Sequence, residues 1–275
     1  MNSLYSDAHC HFRHLPYDAV KPTIKRIEDA GVELALVASV DVGSSEQEVS
    51  TAERFGILKA CVGIHPWNAD LCNKSAIRKL KELAANENVV AISEIGLDYF
   101  SRRNREKNKF ENIYIDKDIQ RTAFREQLRL AKELELPVIV HDRVPDQEVL
   151  DMLEAEGNAK TGAVIHGFDK DSAYARRCVE LGIYMSIGFG KLMPEFLATT
   201  PIHQRPMIKV VPEKERDALK EVIAQTDLKY LLTDSDRQGD GVFAIVEKIA
   251  EIKDLTKEDV AYATTQNLRK LTRLL

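Results

Sequence analysis

The sequence predicts a (β/α)8 TIM barrel, a single α/β domain over residues 1–275, and three observations carry that expectation. Short apolar runs of strand length alternate eight times with segments of helical periodicity. A histidine or an acid stands where most of these runs end. No linker, low-complexity tract or shift of composition divides the chain. Eight strand–helix units in about 250 residues is the size of such a barrel, whereas the runner-up, an open doubly wound sheet, usually has fewer units.

The elements follow in order. Leu4-Tyr5 leads into Ser6-Asp7-Ala8-His9-Cys10-His11, the first strand and its end. Residues 18–30 carry Ala19, Val20, Ile24 and Ile27 at helical spacing, and Gly31 stops them. The run 34–39 is continuously apolar, as a parallel strand buried on both faces should be. A helix from Ser44 or Ser45 to Phe55 and a strand over 58–64 end at His65-Pro66. The fourth unit is an amphipathic helix over 74–87 with a strand over 89–93 that stops at Glu94. A polar stretch, 100–117, precedes a helix over 118–134 and a strand over 137–140 ending at His141. Helix 145–156 leads to strand 163–165 and His166, and helix 171–181 to strand 183–187. Helix 213–225 leads to strand 230–233 and Asp234, and Thr256 with Asp259 caps the last helix.

Composition narrows the class. Hydrophobic residues make up 44% and charged residues 30%, ordinary for a soluble globular protein. There is no run of 18 apolar residues and no charged-then-apolar leader, so a cytoplasmic protein without membrane contact is expected. Cysteines 10, 61, 72 and 178 show no C-x-x-C spacing and read as reduced thiols. A net charge of −5 argues mildly against a dedicated nucleic-acid binder, but cations in a cleft would reverse the local sign.

In an extended strand alternate side chains share a face, so Asp7, His9 and His11 point the same way. Neutral imidazole suits Zn, Mn, Fe or Ni, although an H-x-H pair alone is a weak signal. Barrel chemistry sits at the C-terminal strand ends, and there the chain places His9, His11, His65, Glu94, His141, His166 and Asp234. Five of the seven histidines are in that set; His14 and His203 are not. Four histidines and two acids are too many ligands for one tetrahedral ion. Two divalent ions about 3.5–4 Å apart, with Glu94 between them, fit better and point to hydrolysis of a phosphoester or an amide.

Six segments occur in a fixed order: Asp7-Ala8-His9-Cys10-His11, Gly63-Ile64-His65-Pro66, Ser93-Glu94-Ile95-Gly96-Leu97-Asp98-Tyr99, Leu136 through Arg143, Ile165-His166-Gly167-Phe168 and Leu231-Leu232-Thr233-Asp234. Together they resemble the TatD family of metal-dependent deoxyribonucleases, within the amidohydrolase-like superfamily. The resemblance implies that His9, His11, Glu94 and Asp234 hold one metal, and Glu94, His141 and His166 the other. It implies catalytic roles for Glu94 and for Asp234, which orients or deprotonates the attacking water. His65 would sit by the scissile phosphate, and Arg143 would pair with a phosphate oxygen or form a salt bridge in the rim. Asp98, placed with these substrate residues, would fix an imidazole tautomer, and so would Asp7.

The chain departs from the family pattern at Trp67, where histidine is common, and over Gly167-Phe168-Asp169-Lys170. Leu232 stands for a glutamate and Asp236 for a proline. These positions bear on substrate, since added acids repel a polyanion. Residues 102–109 form a basic patch between Phe100 and Phe110, suited to single-stranded nucleic acid or simply solvated. The segment 188–212, with Met193, Phe196 and Met207, reads as a lid or an oligomer contact. The expected function is cleavage of DNA phosphodiesters, on single strands or ends, with two divalent ions (Mg, Mn or Zn) and no obligate protein partner. The alternative is an amidohydrolase-type enzyme acting on a small ester, lactone or amide.

Overall fold

Strands form where β-branched and aliphatic runs are buried on both faces. In the computed structural model, which describes residues 4–12, 17–100, 102–104, 109–113, 115–188, 192, 213–237, 239 and 241–274, the strands are β1 (Tyr5–Cys10), β2 (Val32–Ala38), β3 (Leu58–Val62), β4 (Val89–Asp98), β5 (Arg102–Asn104), β6 (Lys109–Ile113), β7 (Val138–Arg143), β8 (Ala163–Ile165), β9 (Tyr184–Gly188) and β10 (Leu231–Asp234). Eight of them make one sheet in the order β1-β2-β3-β4-β7-β8-β9-β10, while β5 and β6 pair only with each other. The helices are α1 (Tyr17–Asp29), α2 (Val42–Ala52), α3 (Lys74–Leu83), α4 (Lys117–Glu133), α5 (Glu148–Glu156), α6 (Asn158–Thr161), α7 (Ser172–Leu181), α8 (Glu213–Gln225), α9 (Val242–Lys253) and α10 (Lys257–Thr272). This strand–helix alternation is the expected (β/α)8 arrangement. Among the described residues no helix is long and apolar enough to cross a membrane.

The chain packs as two compact units, Met1–Leu36 with Ile165–Leu275, and Val37–Val164. In the first unit β9 and β10 pair in parallel from Leu231↔Met185 to Asp234↔Gly188. The last strand also lies against the first: Thr233 Oγ1 donates to the Ser6 carbonyl at 2.9 Å, and Asp236 N to the His9 carbonyl at 3.0 Å. Ile24, Ile27, Met185, Ile187, Val246 and Ile249 are buried around these strands. Cys10 points away from the histidines, its thiol donating to the Leu36 carbonyl at 3.2 Å. Thr256 caps α10 as expected, its hydroxyl accepting from Asp259 N at 3.1 Å.

In the second unit α4 fixes two strand ends. Gln127 accepts from Ile64 N at 2.7 Å and donates to its carbonyl at 2.9 Å. Gln120 does the same for Asp98, at 2.8 and 2.9 Å. Seven residues is about two helical turns, so both amides leave the same face of α4.

Several boundaries differ from expectation. β4 runs on to Asp98, so Glu94 lies within a strand, and β7 runs to Arg143 and includes His141. The backbone pairing Gly96↔His141, Leu97↔Asp142 and Asp98↔Arg143 continues beneath polar side chains. Only glycine permits it: Gly96 has φ +139°, and a Cβ there would lie 2.0 Å from the His141 carbonyl oxygen. The polar stretch 100–117 contains the antiparallel pair, with Arg102↔Ile113 and Asn104↔Lys109 opposed. Residues 105–108 of the basic patch, all side chains from 101 to 114, His14, His203 and nearly all of 189–212 lie outside the described residues. The four cysteines are free thiols, Cys72 alone among them being incompletely buried.

Candidate metal centres

The first unit gathers one set of ligand atoms. β1 presents Asp7 and His9 from one face, and His11 follows at its end. The His9 ring stacks on His166 with centroids 3.9 Å apart and meets His11 edge-on at 4.7 Å. His9 Nε2 and His11 Nε2 are 3.1 Å apart. Asp236 Oδ1 lies 3.5 Å from His11 Nε2 and 3.8 Å from His9 Nε2.

Asp234 is fully buried in the same unit. Its Oδ2 accepts from Gly167 N at 2.9 Å and from the Ser186 hydroxyl, and lies 3.9 Å from His166 Nδ1. Its Oδ1 is buried and accepts no hydrogen bond from any described residue. A buried carboxylate oxygen without a donor is costly, and a cation is a natural complement.

Asp7 has a different task from the one expected. It accepts from His9 N at 3.1 Å, from Ser235 N at 3.0 Å and from the Ser235 hydroxyl at 2.5 Å, and it touches no imidazole in these bonds. Burial pushes its carboxyl up to about 8, against the pull of the Ser235 bonds. Asp7 therefore holds the turn after β10 rather than a ring.

The second unit gathers the other set. Glu94 Oε1 is 2.6 Å from His141 Nδ1 and 3.3 Å from His65 Nε2. On its far side His141 Nε2 is 3.0 Å from Asp98 Oδ2, which also accepts from Trp67 Nε1 at 2.8 Å. Burial alone would lower the His141 value, but the bonds to Asp98 and Glu94 outweigh it and raise the imidazole to about 9. Asp98 shows the converse: burial would raise it, yet His141 holds it below the usual carboxylate range.

His65 is neutral, because burial pulls it down to about 4 despite the nearby acids. Its Nδ1 accepts from Trp67 N at 3.0 Å, so the ring hydrogen sits on Nε2, the atom turned to Glu94. The 3₁₀ turn Pro66–Leu71 sets this geometry, with His65 as its N-cap. His65 is thus a donor directed at the cluster, although it is close enough to count among the ligands.

The residues fit divalent ions. Bonds of 2.0–2.2 Å in a tetrahedron place neighbouring ligand atoms about 3.4 Å apart, and the spacings above bracket that value. The Asp98–His141 couple is the carboxylate–histidine arrangement that orients a metal-ligating ring. Arg143 donates from its guanidinium to the Asp142 carbonyl at 2.9 Å.

Sequence reasoning did not single out Ser186, Ser235, Gln120 or Gln127, named Gly167 only as part of a motif and of a departure from it, and treated Trp67 and Asp236 only as rim residues. A serine between Met185 and Ile187 in a buried strand, and two glutamines seven apart on a helix, were the available signals.

A family model described as TatD related DNase matches residues 6–273. A protein of Bacillus subtilis (strain 168), named uncharacterized metal-dependent hydrolase YabD, is 32% identical over 273 residues, 98% of each chain. A protein of Cronobacter turicensis named 3'-5' ssDNA/RNA exonuclease TatD is 31% identical over 209 residues, 76% of this chain and 72% of that one. Among solved structures, the TatD homolog YJJV of Escherichia coli K12 has a TM-score of 0.80 at 24% identity, covering 99% of both chains, and shows the same fold.

Proposed function

The chain belongs to the TatD related DNase family and is a metal-dependent hydrolase, and from that premise we propose that it cleaves phosphodiester bonds of DNA, exonucleolytically on single strands or at ends. The observation that carries the reading is the pair of imidazole–carboxylate sets, one of His9, His11 and His166 with Asp236 beside the first two and buried Asp234 beside the third, and one of Glu94 with His141 and His65. The relative from Cronobacter turicensis, named an exonuclease on single-stranded DNA and RNA, supports nucleic acid as the substrate class.

We assign two divalent ions, Mg, Mn or Zn, with His9, His11, Glu94, His141, His166 and Asp234 as ligands. The shared role of Glu94 rests on the resemblance. Bound ions of this kind stabilise the attacking and leaving oxygens of a hydrolysed phosphodiester. Asp234 is held through Oδ2 by Gly167 and Ser186, which leaves Oδ1 to orient water and take its proton. His65, neutral with hydrogen on Nε2, donates to a phosphate oxygen, and Arg143 is the second phosphate contact. Asp98 positions His141. Action as one 275-residue domain in the cytoplasm, without an obligate protein partner, belongs to the same proposal.

A second reading, a small ester, lactone or amide as substrate, is favoured by the Asp236 carboxylate beside His9 and His11, which opposes a polyanion. The test is end-labelled single- and double-stranded DNA incubated with purified protein and Mg²⁺, Mn²⁺ or Zn²⁺. Metal-dependent shortening that Asp234→Ala abolishes is expected. DNA left intact in every metal, or equal activity in the variant, would refute the nuclease reading; turnover in a parallel panel of small esters, lactones and amides would establish the second.

A further inference from the structure

The turn that follows β10 is registered against the end of β1 by main-chain bonds. Asp236 N donates to the His9 carbonyl at 3.0 Å, and His11 N donates to the Arg237 carbonyl at 2.6 Å. Ser235 braces the turn from within: its hydroxyl donates to Asp7 and accepts from Arg237 N at 3.1 Å and Gly239 N at 3.0 Å. The place of Asp236 relative to His9 and His11 is therefore set by the backbone.

Asp236 itself has φ +51°, a region that Asp and Asn enter more readily than other side chains do. The backbone there carries a carboxylate whose side chain is 44% exposed, while His9 is fully buried. One oxygen lies 3.5 and 3.8 Å from two imidazole nitrogens that are themselves 3.1 Å apart. The 3.5 Å contact to His11 is a long hydrogen bond, beyond the usual 2.7–3.2 Å. Both N···O separations are close to the spacing of ligand atoms about a shared ion, roughly 3.4 Å. Two imidazoles and one carboxylate on a common face, open on the carboxylate side, suit Mn, Fe or Zn.

We propose that Asp236 is a further ligand for the divalent ion held by His9 and His11, so that this centre carries one more anionic donor than the ligand set assigned above. The inference rests on that metal assignment and adds a residue to it. Its consequence is tighter binding at this centre, with a lower net positive charge left to attract an anionic substrate.

The test uses the full chain, stripped of metal with chelator and titrated with Mn²⁺, the free ion being followed by electron paramagnetic resonance. Asp236→Asn keeps the volume and tolerates the backbone conformation; Asp236→Ala is the second variant, His11→Ala the control, and circular dichroism reports folding. Expected is a loss of tenfold or more in affinity at one class of site in both Asp236 variants, with the other class unchanged. Substituting Co²⁺ should show a matching change in its visible absorption bands, which a purely structural role would not produce. Wild-type Mn²⁺ affinity in Asp236→Asn, with His11→Ala weakened, would overturn the inference and leave the metal assignment standing. Unchanged binding in His11→Ala as well would overturn both.

Discussion

Asp98 decides which nitrogen of His141 faces the centre. With Asp98 Oδ2 3.0 Å from Nε2, Nδ1 is the atom turned to Glu94 Oε1 at 2.6 Å, donating to it while protonated and offering its lone pair to an ion once the proton is displaced. Such partners are typically worth 10–100-fold in metal affinity. Asp98→Asn should weaken Mn²⁺ or Zn²⁺ binding by about that factor with the fold intact, as calorimetric titration beside circular dichroism would show. Unchanged affinity would mean that Asp98 serves only Trp67 and the backbone.

His65 separates binding from turnover. As a neutral Nε2–H donor it should contribute to the transition state and not to metal retention. His65→Gln is expected to keep Mn²⁺ affinity within about threefold and to lose on the order of 10²–10³ in kcat on any cleaved substrate. Loss of metal together with activity would make His65 a ligand instead.

The glutamine clamps predict a stability effect away from the chemistry. Gln127→Leu leaves the N–H and carbonyl of Ile64 buried without their partner, at about 1–3 kcal/mol for each unsatisfied group. A urea melt should show a loss of about 2–4 kcal/mol, and activity should fall too, because His65 follows Ile64 directly.

Gly96 and Gly56 make a contrast. Alanine at 96 would bring its Cβ within 2.0 Å of backbone in a left-handed conformation, whereas at 56 it would meet nothing within 4 Å. Gly96→Ala should cost more than about 4 kcal/mol and express insoluble. Gly56→Ala should change stability by less than about 1 kcal/mol. Solubility and melting temperature read both.

The pH response can be tested at Glu148, which accepts from Arg121 and, at 2.8 Å, from the Tyr99 hydroxyl. Arg121 holds its carboxyl below the ordinary 4.5. A depressed folded-state value means that the unfolded chain binds the proton more readily, so stability falls as acid is added. Wild type should melt above Glu148→Gln by a constant amount down to about pH 5 and lose that advantage below it. Since the pair is partly exposed, the difference is at most a few degrees. A gap that does not narrow at all as the pH falls below the ordinary 4.5 would show that the charge is not its source.

The barrel was legible because it is written in local pattern: apolar runs such as Leu36-Val37-Ala38, helix stops such as Gly182, and polar residues at the ends of runs. His9, His11, Glu94, His141, His166 and Asp234 could be named for the same reason. Strand ends were misplaced because an apolar run stops where the site begins, while β4 and β7, irregular between Ile92 and Ile95, pair again from Ile95↔Val140 through Gly96↔His141 to Asp98↔Arg143. Asp236 and Ser186 were hidden by distance: nothing local connects Asp236 to His11, or Ser186 to Asp234. His65 was named, but its tautomer depends on a backbone N–H at Trp67 that only the folded turn delivers.

The bond between Asp7 and Ser235 spans 228 residues of chain. During translation at about 5–20 residues per second, Asp7 and the His9–His11 pair emerge on the order of 10–45 s before the turn that completes them. Val37–Val164, by contrast, is made without interruption and holds Glu94, Asp98 and His141 together. A nascent chain can therefore assemble one ligand set on the ribosome while the other still lacks its final members.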